Sequence, residues 1–198
     1  MESTVVDPDM EELFNLFLEQ ESEPWDSREP DTDPTVCIAG NPEDCPRILS
    51  EKQPFHFQIR DTSHKSFYLQ DNILVATNLQ GDNAAVEEKV TVVPNRHLER
   101  KRCPLILGVQ GGSKGLSCGN DGQPQLQLED VQLLNLFHQE KEAKCFTFYK
   151  TYNGSTHSFE AAAYPGWFLC TSTQVNKPIS LTMQLGQSAI TDFYFQRK

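Results

Sequence analysis

The pattern of apolar and polar residues predicts β-strands from residue 53 to the end of the chain. Apolar side chains alternate with other residues over short runs, as at Phe55, Phe57 and Ile59. A period of two is typical of strands that bury one face. Turn-forming pairs such as Asp71-Asn72 separate the runs. The pattern predicts about twelve strands, which begin near Phe55, Phe67, Ile73, Val90, Leu105, Leu116, Leu126, Phe146, His157, Phe168, Ile179 and Phe193.

Short strands at this spacing predict an all-β fold rather than alternating strands and helices. Twelve strands divide into three groups of four, which suits a β-trefoil, where six strands close a barrel and six form hairpins over one end. Periodicity alone leaves a β-sandwich open as the alternative. One helical interlude is expected at 130–142, where Val131, Leu134 and His138 would share a face.

The first fifty residues differ from the rest in charge. Residues 1–50 contain 14 of the 28 Asp and Glu but 2 of the 17 Lys and Arg, and five prolines lie between Pro24 and Pro46. Residues 51–198 are nearly neutral, with 14 acidic and 15 basic side chains. Such an acidic, proline-interrupted segment buries too little apolar surface to fold by itself. We therefore predict a mostly disordered acidic pro-segment at 1–50 and a globular domain at 51–198.

One stretch of this leading segment (residues 1–50) has a helical pattern. Met10, Leu13, Phe14, Phe17 and Leu18 recur at the spacing of one helix face, which predicts a short amphipathic helix at 9–20. One interpretation is a docking helix for an intracellular partner. We favour a pro-segment helix that is solvated or loosely packed.

Charge and motif content argue against several function classes. The formal net charge of -11 disfavours nucleic acid as a partner, and no apolar run is long enough to span a bilayer. The first thirty residues lack the pattern of a secretory signal, so synthesis in the cytoplasm is expected. The six cysteines and five histidines show no metal or catalytic spacing. The glycines at 108–115 lack phosphate-loop spacing and predict a hairpin turn. We expect no enzymatic activity, no metal, no cofactor and free thiols.

A basic cluster follows the strand at Val90. Arg96, Arg100, Lys101 and Arg102 lie close together with His97. We consider two interpretations, a solvated loop and a contact patch for an acidic partner surface.

The segment Phe159–Thr171, with the sequence FEAAAYPGWFLCT, resembles the signature of the interleukin-1 family, and Ile179 follows at the expected distance. Further agreement extends over residues 53–196, most strongly with the interleukin-36 and receptor-antagonist group. The resemblance implies a β-trefoil without a cofactor that binds the immunoglobulin domains of an interleukin-1-receptor-type receptor. Agonists of the family also recruit an accessory receptor chain.

The resemblance also implies receptor-binding residues. Gln80 and Tyr194 match positions that a receptor-antagonist member of the family uses for receptor contact. Arg60, His64 and Asn78 occupy aligned positions with different residues, which implies a related surface fitted to a different receptor. Two cysteines of that member are absent, so its disulfide is not expected in this chain.

The resemblance also bears on whether the protein activates or blocks its receptor, and on where the chain is processed. Asp192 replaces a lysine that accompanies antagonism in one member, whereas another antagonist also has Asp; the loop at 183–190 has the length found in agonists. We favour an antagonist, with an agonist and an intracellular binding module as alternatives. The tripeptide Ile59-Arg60-Asp61 predicts an active start near Ser50, where the charge also changes. We expect a monomer, cytoplasmic before release and extracellular afterwards, exported without a signal peptide.

Overall fold

The computed structural model describes residues 12–15, 53–119 and 124–198. In these residues the chain forms fourteen β-strands joined by short loops. The strands are β1 Phe55–Asp61, β2 Ser66–Gln70, β3 Ile73–Thr77, β4 Val90–Pro94, β5 Pro104–Val109, β6 Lys114–Cys118, β7 Leu126–Asp130, β8 Thr147–Tyr152, β9 His157–Ala161, β10 Phe168–Ser172, β11 Lys177–Pro178, β12 Ser180–Thr182, β13 Ala189–Ile190 and β14 Phe193–Arg197.

Six of these strands form a closed barrel. Strand β1 pairs with β4 and β14, β4 with β5, β5 with β8, β8 with β9, and β9 with β14, always antiparallel. The last pairing returns to the first strand, so the ring is complete. Its interior is filled by the apolar side chains of the alternating pattern, because successive residues of a strand point to opposite faces. Phe57, Ile59, Leu105, Phe148, Phe159 and Phe193 are among these buried residues.

The remaining long strands form three hairpins. These are β2 with β3, β6 with β7, and β10 with β12. Leu74, Leu126 and Ile179, one from each hairpin region, line a common cavity of about 370 Å³. The hairpins therefore converge at one end of the barrel, and the fold is the β-trefoil that the sequence predicts.

All twelve predicted strand segments are strands in the structure. The described residues contain two more, β11 and β13, and each has two residues. Two residues are too few to show an alternation, so the pattern could not reveal them.

The turn between β5 and β6 contains the predicted glycine pair. Gln110, Gly111 and Gly112 have φ angles of 53°, 67° and 95°. A left-handed backbone is strained for most residues but not for glycine, which explains the Gly-Gly pair. The prediction of a hairpin turn here is confirmed.

The helical interlude consists of two short helices, α1 Leu133–Leu136 and α2 Glu140–Ala143. Gln139 between them has φ -116° and ψ 87°, which is not helical. The buried residues are Leu133, Leu136, Phe137 and Ala143, whereas His138 is exposed. The predicted single helix with a face of Val131, Leu134 and His138 is therefore wrong, because α1 begins after Val131 and ends before His138, and Gln139 separates it from α2.

A part of the leading segment contacts the trefoil. Residues 12–15 form a helical turn in which Leu13 and Phe14 are buried, with 1% and 2% of their surfaces exposed. Both belong to the same apolar cluster as the barrel side chains. The favoured prediction of a solvated or loosely packed helix is wrong for these residues. The rest of the predicted helix at 9–20, and the other residues of the pro-segment, lie outside the described residues.

Candidate functional site

The candidate site begins with two neighbouring barrel strands, β1 and β14. Arg60 lies opposite Tyr194 in their register, and Gln58 lies opposite Gln196. Phe57, Ile59, Phe193 and Phe195, which alternate with these residues, are buried in the barrel. The period of two therefore places the four polar or aromatic side chains together on the outer face.

The turn after β1 adds a histidine to this face. His64 has a φ of 63°, a left-handed conformation that points its side chain away from the course of β1. Its ring lies parallel to the ring of Tyr194, with centroids 5.9 Å apart and 6° between the planes. His64 and Tyr194 border a shallow depression of about 210 Å³ together with Gln58, Arg60 and Gln196. We name these five residues the Tyr194 patch.

Hydrogen bonds and one ion pair orient the polar side chains of the Tyr194 patch. The Gln58 amide donates to both oxygens of Glu87, at 3.0 and 2.9 Å. The Arg60 guanidinium donates to the Ser66 hydroxyl at 3.2 Å and lies 3.6 Å from a Glu87 oxygen. Arg60 remains 43% exposed while Glu87 is mostly covered. The patch therefore presents an oriented cation beside an aromatic stack.

A buried ionic network lies under the turn that carries His64. One oxygen of Asp61 accepts hydrogen bonds from the backbone N–H groups of Ser63 and Lys65, both at 2.9 Å. The other oxygen accepts from the Thr171 hydroxyl at 2.6 Å and lies 2.8 Å from the Lys65 ammonium. Asp61 and Lys65 are fully buried. The network fixes the conformation of the turn and hence the position of His64.

The structure brings three of the predicted receptor-binding residues together, namely Arg60, His64 and Tyr194. Asn78 and Gln80 are exposed in the segment after β3. This segment leads into the 3-10 helix Gly81–Val86, which is followed by Glu87, the partner of Arg60. No contact links Asn78 or Gln80 directly to the patch among the described contacts, so their role stays a prediction.

The remaining two predicted site residues lie elsewhere. Asp192 is half-buried immediately before β14 and accepts a hydrogen bond from the Asn153 amide at 3.1 Å. Ser50, the predicted start of the active form, lies outside the described residues. The role of each residue stays a prediction.

Sequence reasoning missed three residues of this region, Gln58, Gln196 and Glu87. The alternation along β1 and β14 could have identified Gln58 and Gln196, because they lie two residues from Arg60 and Tyr194. Glu87 carries no such signal, since a loop and a 3-10 helix bring it to Arg60 from a distant part of the sequence.

The basic cluster forms an ordered loop in which three arginines lie over aromatic rings. The guanidinium carbons of Arg96 and Arg102 are 5.0 Å from the Phe137 centroid and 3.8 Å from the Tyr149 centroid, respectively. Arg102 also pairs with Glu160 at 2.7 Å. Arg100 lies over Phe14 of the leading segment. We name residues 96–102 the basic loop.

The four cysteines in the described residues are free, as the sequence predicts; Cys37 and Cys45 lie outside this part. Burial raises the pKa of Cys118 to about 12, and the nearby Cys145 adds to the rise. Burial also raises the pKa of Cys170, although a hydrogen bond with Ser180 opposes this effect. Buried thiols with raised pKa values are poor nucleophiles at neutral pH.

Other kinds of site are absent from the described part of the chain. Its His, Cys, Asp and Glu residues form no group of three that could hold a metal ion. None of its helices has the length and apolar character needed to cross a membrane.

Comparison with known proteins gives consistent results. Residues 79–195 match the family model described as Interleukin-1 / 18. The chain is 47% identical to the interleukin-36 receptor antagonist protein of Mus musculus over 145 residues, which cover 71% of this chain and 93% of that protein. It is 45% identical to the interleukin-1 receptor antagonist protein of Homo sapiens over 142 residues, covering 71% and 77% of the two chains.

Solved structures agree with the sequence matches. The crystal structure of chicken interleukin 1 beta has a TM-score of 0.63 at 30% identity, covering 73% of this chain and 97% of that chain. The solution structure of interleukin-36alpha has a TM-score of 0.58 at 32% identity, covering 71% and 93%. The chain, with its closed barrel, three capping hairpins and matching sequence, belongs to the interleukin-1 family, a family of non-enzymatic extracellular cytokines that bind receptors of the interleukin-1 receptor family.

Proposed function

We propose that this cytokine binds the interleukin-36 receptor and that it acts as an antagonist. The names of two similar relatives support the proposal, since receptor antagonist proteins match at 47% and 45% identity over 71% of this chain. The cytokine would modulate inflammatory and innate immune signalling by occupying the receptor.

The observation that carries the proposal is the Tyr194 patch. Tyrosine and arginine are enriched among the residues that dominate binding energy in protein interfaces. Here Tyr194 is stacked on His64, and Arg60 is held by Ser66 and Glu87. Their side chains are therefore oriented before the receptor arrives, which reduces the entropy lost on binding. A standard interface would bury about 800 Å² on each partner, so the patch would form its centre and not its whole extent.

The alternative to antagonism is that the protein activates the receptor, as agonists of the same family do. An agonist must present a second surface to the accessory receptor chain. The loop at 183–188 is exposed, and Met183 and Leu185 expose 60% and 55% of their surfaces. These residues offer an apolar contact to a second protein, which is why the agonist remains the competing hypothesis.

An intracellular binding module that acts through the acidic leading segment is the alternative from another class. It would require Leu13 and Phe14 to be available to another protein. Both are buried against the trefoil in this structure. This burial favours the receptor ligand.

A reporter assay in cells that express the interleukin-36 receptor and its accessory chain tests the proposal. Full-length protein and protein starting at Ser50 are added alone and together with an agonist. We expect no signal from the Ser50 form alone and a dose-dependent reduction of the agonist signal. Signal without added agonist would identify the protein as an agonist.

Two further results test the receptor and the processing site separately. Absence of binding between the Ser50 form and the receptor ectodomain would exclude this receptor. If full-length protein competed as well as the Ser50 form, processing near Ser50 would have no role in receptor binding. Recovery of the protein from the medium and the cytoplasm of expressing cells tests the expected release without a signal peptide.

A further inference from the structure

The helical turn at residues 12–15 occupies a defined site on the trefoil. Leu13 and Phe14 lose almost all of their exposure and join the apolar cluster of the barrel, whereas Glu12 stays exposed. Two adjacent bulky side chains that bury this fully are held by packing, because apolar burial is the main favourable term in association. We name the trefoil surface that covers them, formed by the apolar cluster of the barrel together with Arg100, the leader seat.

Arg100 of the basic loop closes one side of the leader seat. Its guanidinium carbon lies 5.5 Å from the centroid of the Phe14 ring. The same group donates a hydrogen bond to the side-chain oxygen of Asn15 at 2.5 Å. A stacked arginine that also donates to the neighbouring side chain recognises both the ring and its orientation. These contacts join the leading segment to a residue 85 positions further along the chain.

Charge complementarity independently identifies the occupant of this site. Residues 1–50 have 14 acidic and 2 basic side chains, and the basic loop has four cations, Arg96, Arg100, Lys101 and Arg102, with one acid, Glu99. Opposite charges attract over about a Debye length, so these compositions favour association of the two segments. Arg100 of the basic loop contacts Phe14 and Asn15, which belong to the segment with the highest density of negative charge in the sequence.

We propose that the leading segment is a ligand of its own trefoil and that it stays bound after the chain is cut. Leu13 and Phe14 fill the leader seat, Arg100 holds Phe14 and Asn15, and the acidic residues favour the basic loop. Cutting alone would then leave the fragment on the trefoil with Arg100 engaged, and a separate dissociation step would be needed to free Arg100 and the surface under Leu13 and Phe14. This inference does not depend on which receptor the cytokine binds.

The experiment uses the full-length chain with a specific protease site introduced between Glu43 and Ser50. The purified protein is cut to completion at low ionic strength and separated by size-exclusion chromatography. We expect the N-terminal fragment to elute together with the trefoil. Raising the salt from about 0.05 to 0.5 M shortens the Debye length severalfold and should release part of the fragment.

Matched variants test separately the packing of Leu13 and Phe14 and the contact that Arg100 makes with the leading segment. The double variant L13A/F14A should release the fragment at low salt, whereas V5A/V6A, which changes two apolar residues outside residues 12–15, should retain it. Arg100→Ala should weaken retention by about fivefold, the scale expected for a cation–π contact with a hydrogen bond. Arg197→Ala is the control, because Arg197 also lies over a ring, that of Phe55 at 4.7 Å, and none of its described contacts is with residues 12–15.

Hydrogen exchange in the uncut chain provides a second readout. The backbone amides of residues 12–15 should be protected in the native protein and lose protection in L13A/F14A and in R100A. The melting temperature of the trefoil shows whether each variant is folded. Immediate separation of the native fragment at low salt would overturn the proposal. Equal retention in R100A and R197A would also overturn it.

Discussion

The Thr171 hydroxyl donates a 2.6 Å hydrogen bond to the Asp61 carboxylate, across 110 positions of the sequence. This bond joins strand β10 of one hairpin to the end of barrel strand β1. Asp61 also accepts from the backbone of Ser63 and Lys65 and pairs with the Lys65 ammonium. Because the same turn carries His64, the stacking of His64 on Tyr194 depends on a network buried beneath it.

Thr171→Val should destabilise the protein by about 1.5–3 kcal/mol, because it removes a hydrogen bond to a charged group and nearly preserves the shape of the side chain. The free energy of unfolding in urea measures the loss. Thr171→Ser retains the hydroxyl and should stay closer to the native protein. A loss for serine without a loss for valine would show that the methyl group, and not the hydrogen bond, matters at this position.

Asp61→Asn should destabilise the protein by about 3–5 kcal/mol, because it leaves the buried Lys65 ammonium without a counter-charge. The double variant D61N/K65M removes that ammonium and should be more stable than D61N by at least about 1 kcal/mol. Urea unfolding of the native protein, both single variants and the double variant gives the coupling energy. Additive effects of the two substitutions would contradict an ionic interaction between the side chains.

Tyr194→Ala should reduce affinity for the receptor by about 30-fold, corresponding to about 2 kcal/mol for a central aromatic residue of an interface. His64→Ala should give a smaller reduction, since it removes the stacking partner. Surface plasmon resonance with the receptor ectodomain measures both. Tyr68→Ala is the matched control, because Tyr68 bonds to Gln70 and Asn176 and lies outside the Tyr194 patch. An effect of Y68A as large as that of Y194A would exclude a specific role for the patch.

Stability should fall as the pH rises above about 9 because of Cys118. Its pKa is about 12 in the folded protein against an ordinary value of 9.0, so the unfolded chain loses the thiol proton first. The contribution is therefore complete below pH 9 and declines between pH 9 and 12, by about 1.4 kcal/mol per pH unit. Urea unfolding under reducing conditions at pH 8, 9 and 10 measures this slope in the native protein and in C118A.

The comparison of these two slopes isolates the thiol from other groups that titrate at alkaline pH. The stability advantage of the native protein over C118A should shrink above pH 9. A constant difference between pH 8 and pH 10 would show that the Cys118 thiol ionises as easily in the folded state as in the unfolded state.

The sequence predicts most of the fold because the barrel strands carry a strong period of two. Residues such as Phe57, Ile59, Phe193 and Phe195 face one buried interior, so the alternation is regular. The paired helices α1 and α2 were harder to predict from the sequence. Their buried side chains pack in a small separate cluster, and the break at Gln139 interrupts the helical period.

The candidate site was predictable in part. Pairing across β1 and β14 follows from the alternation once the barrel is known, which explains why Arg60 and Tyr194 meet. The position of His64 depends on its left-handed φ and on Asp61, and local periodicity contains neither. Burial of Leu13 and Phe14 depends on the shape of a distant surface, so the amphipathic pattern alone could not distinguish a docked helix from a solvated one.

The closed ring of barrel strands limits how another segment can attach to it. Each of the six strands has a hydrogen-bonded neighbour on both sides, so an extended peptide finds no open backbone edge there to join. Attachment must use side chains, as Leu13 and Phe14 do. A segment that attaches in this way needs no fixed backbone register with the barrel strands.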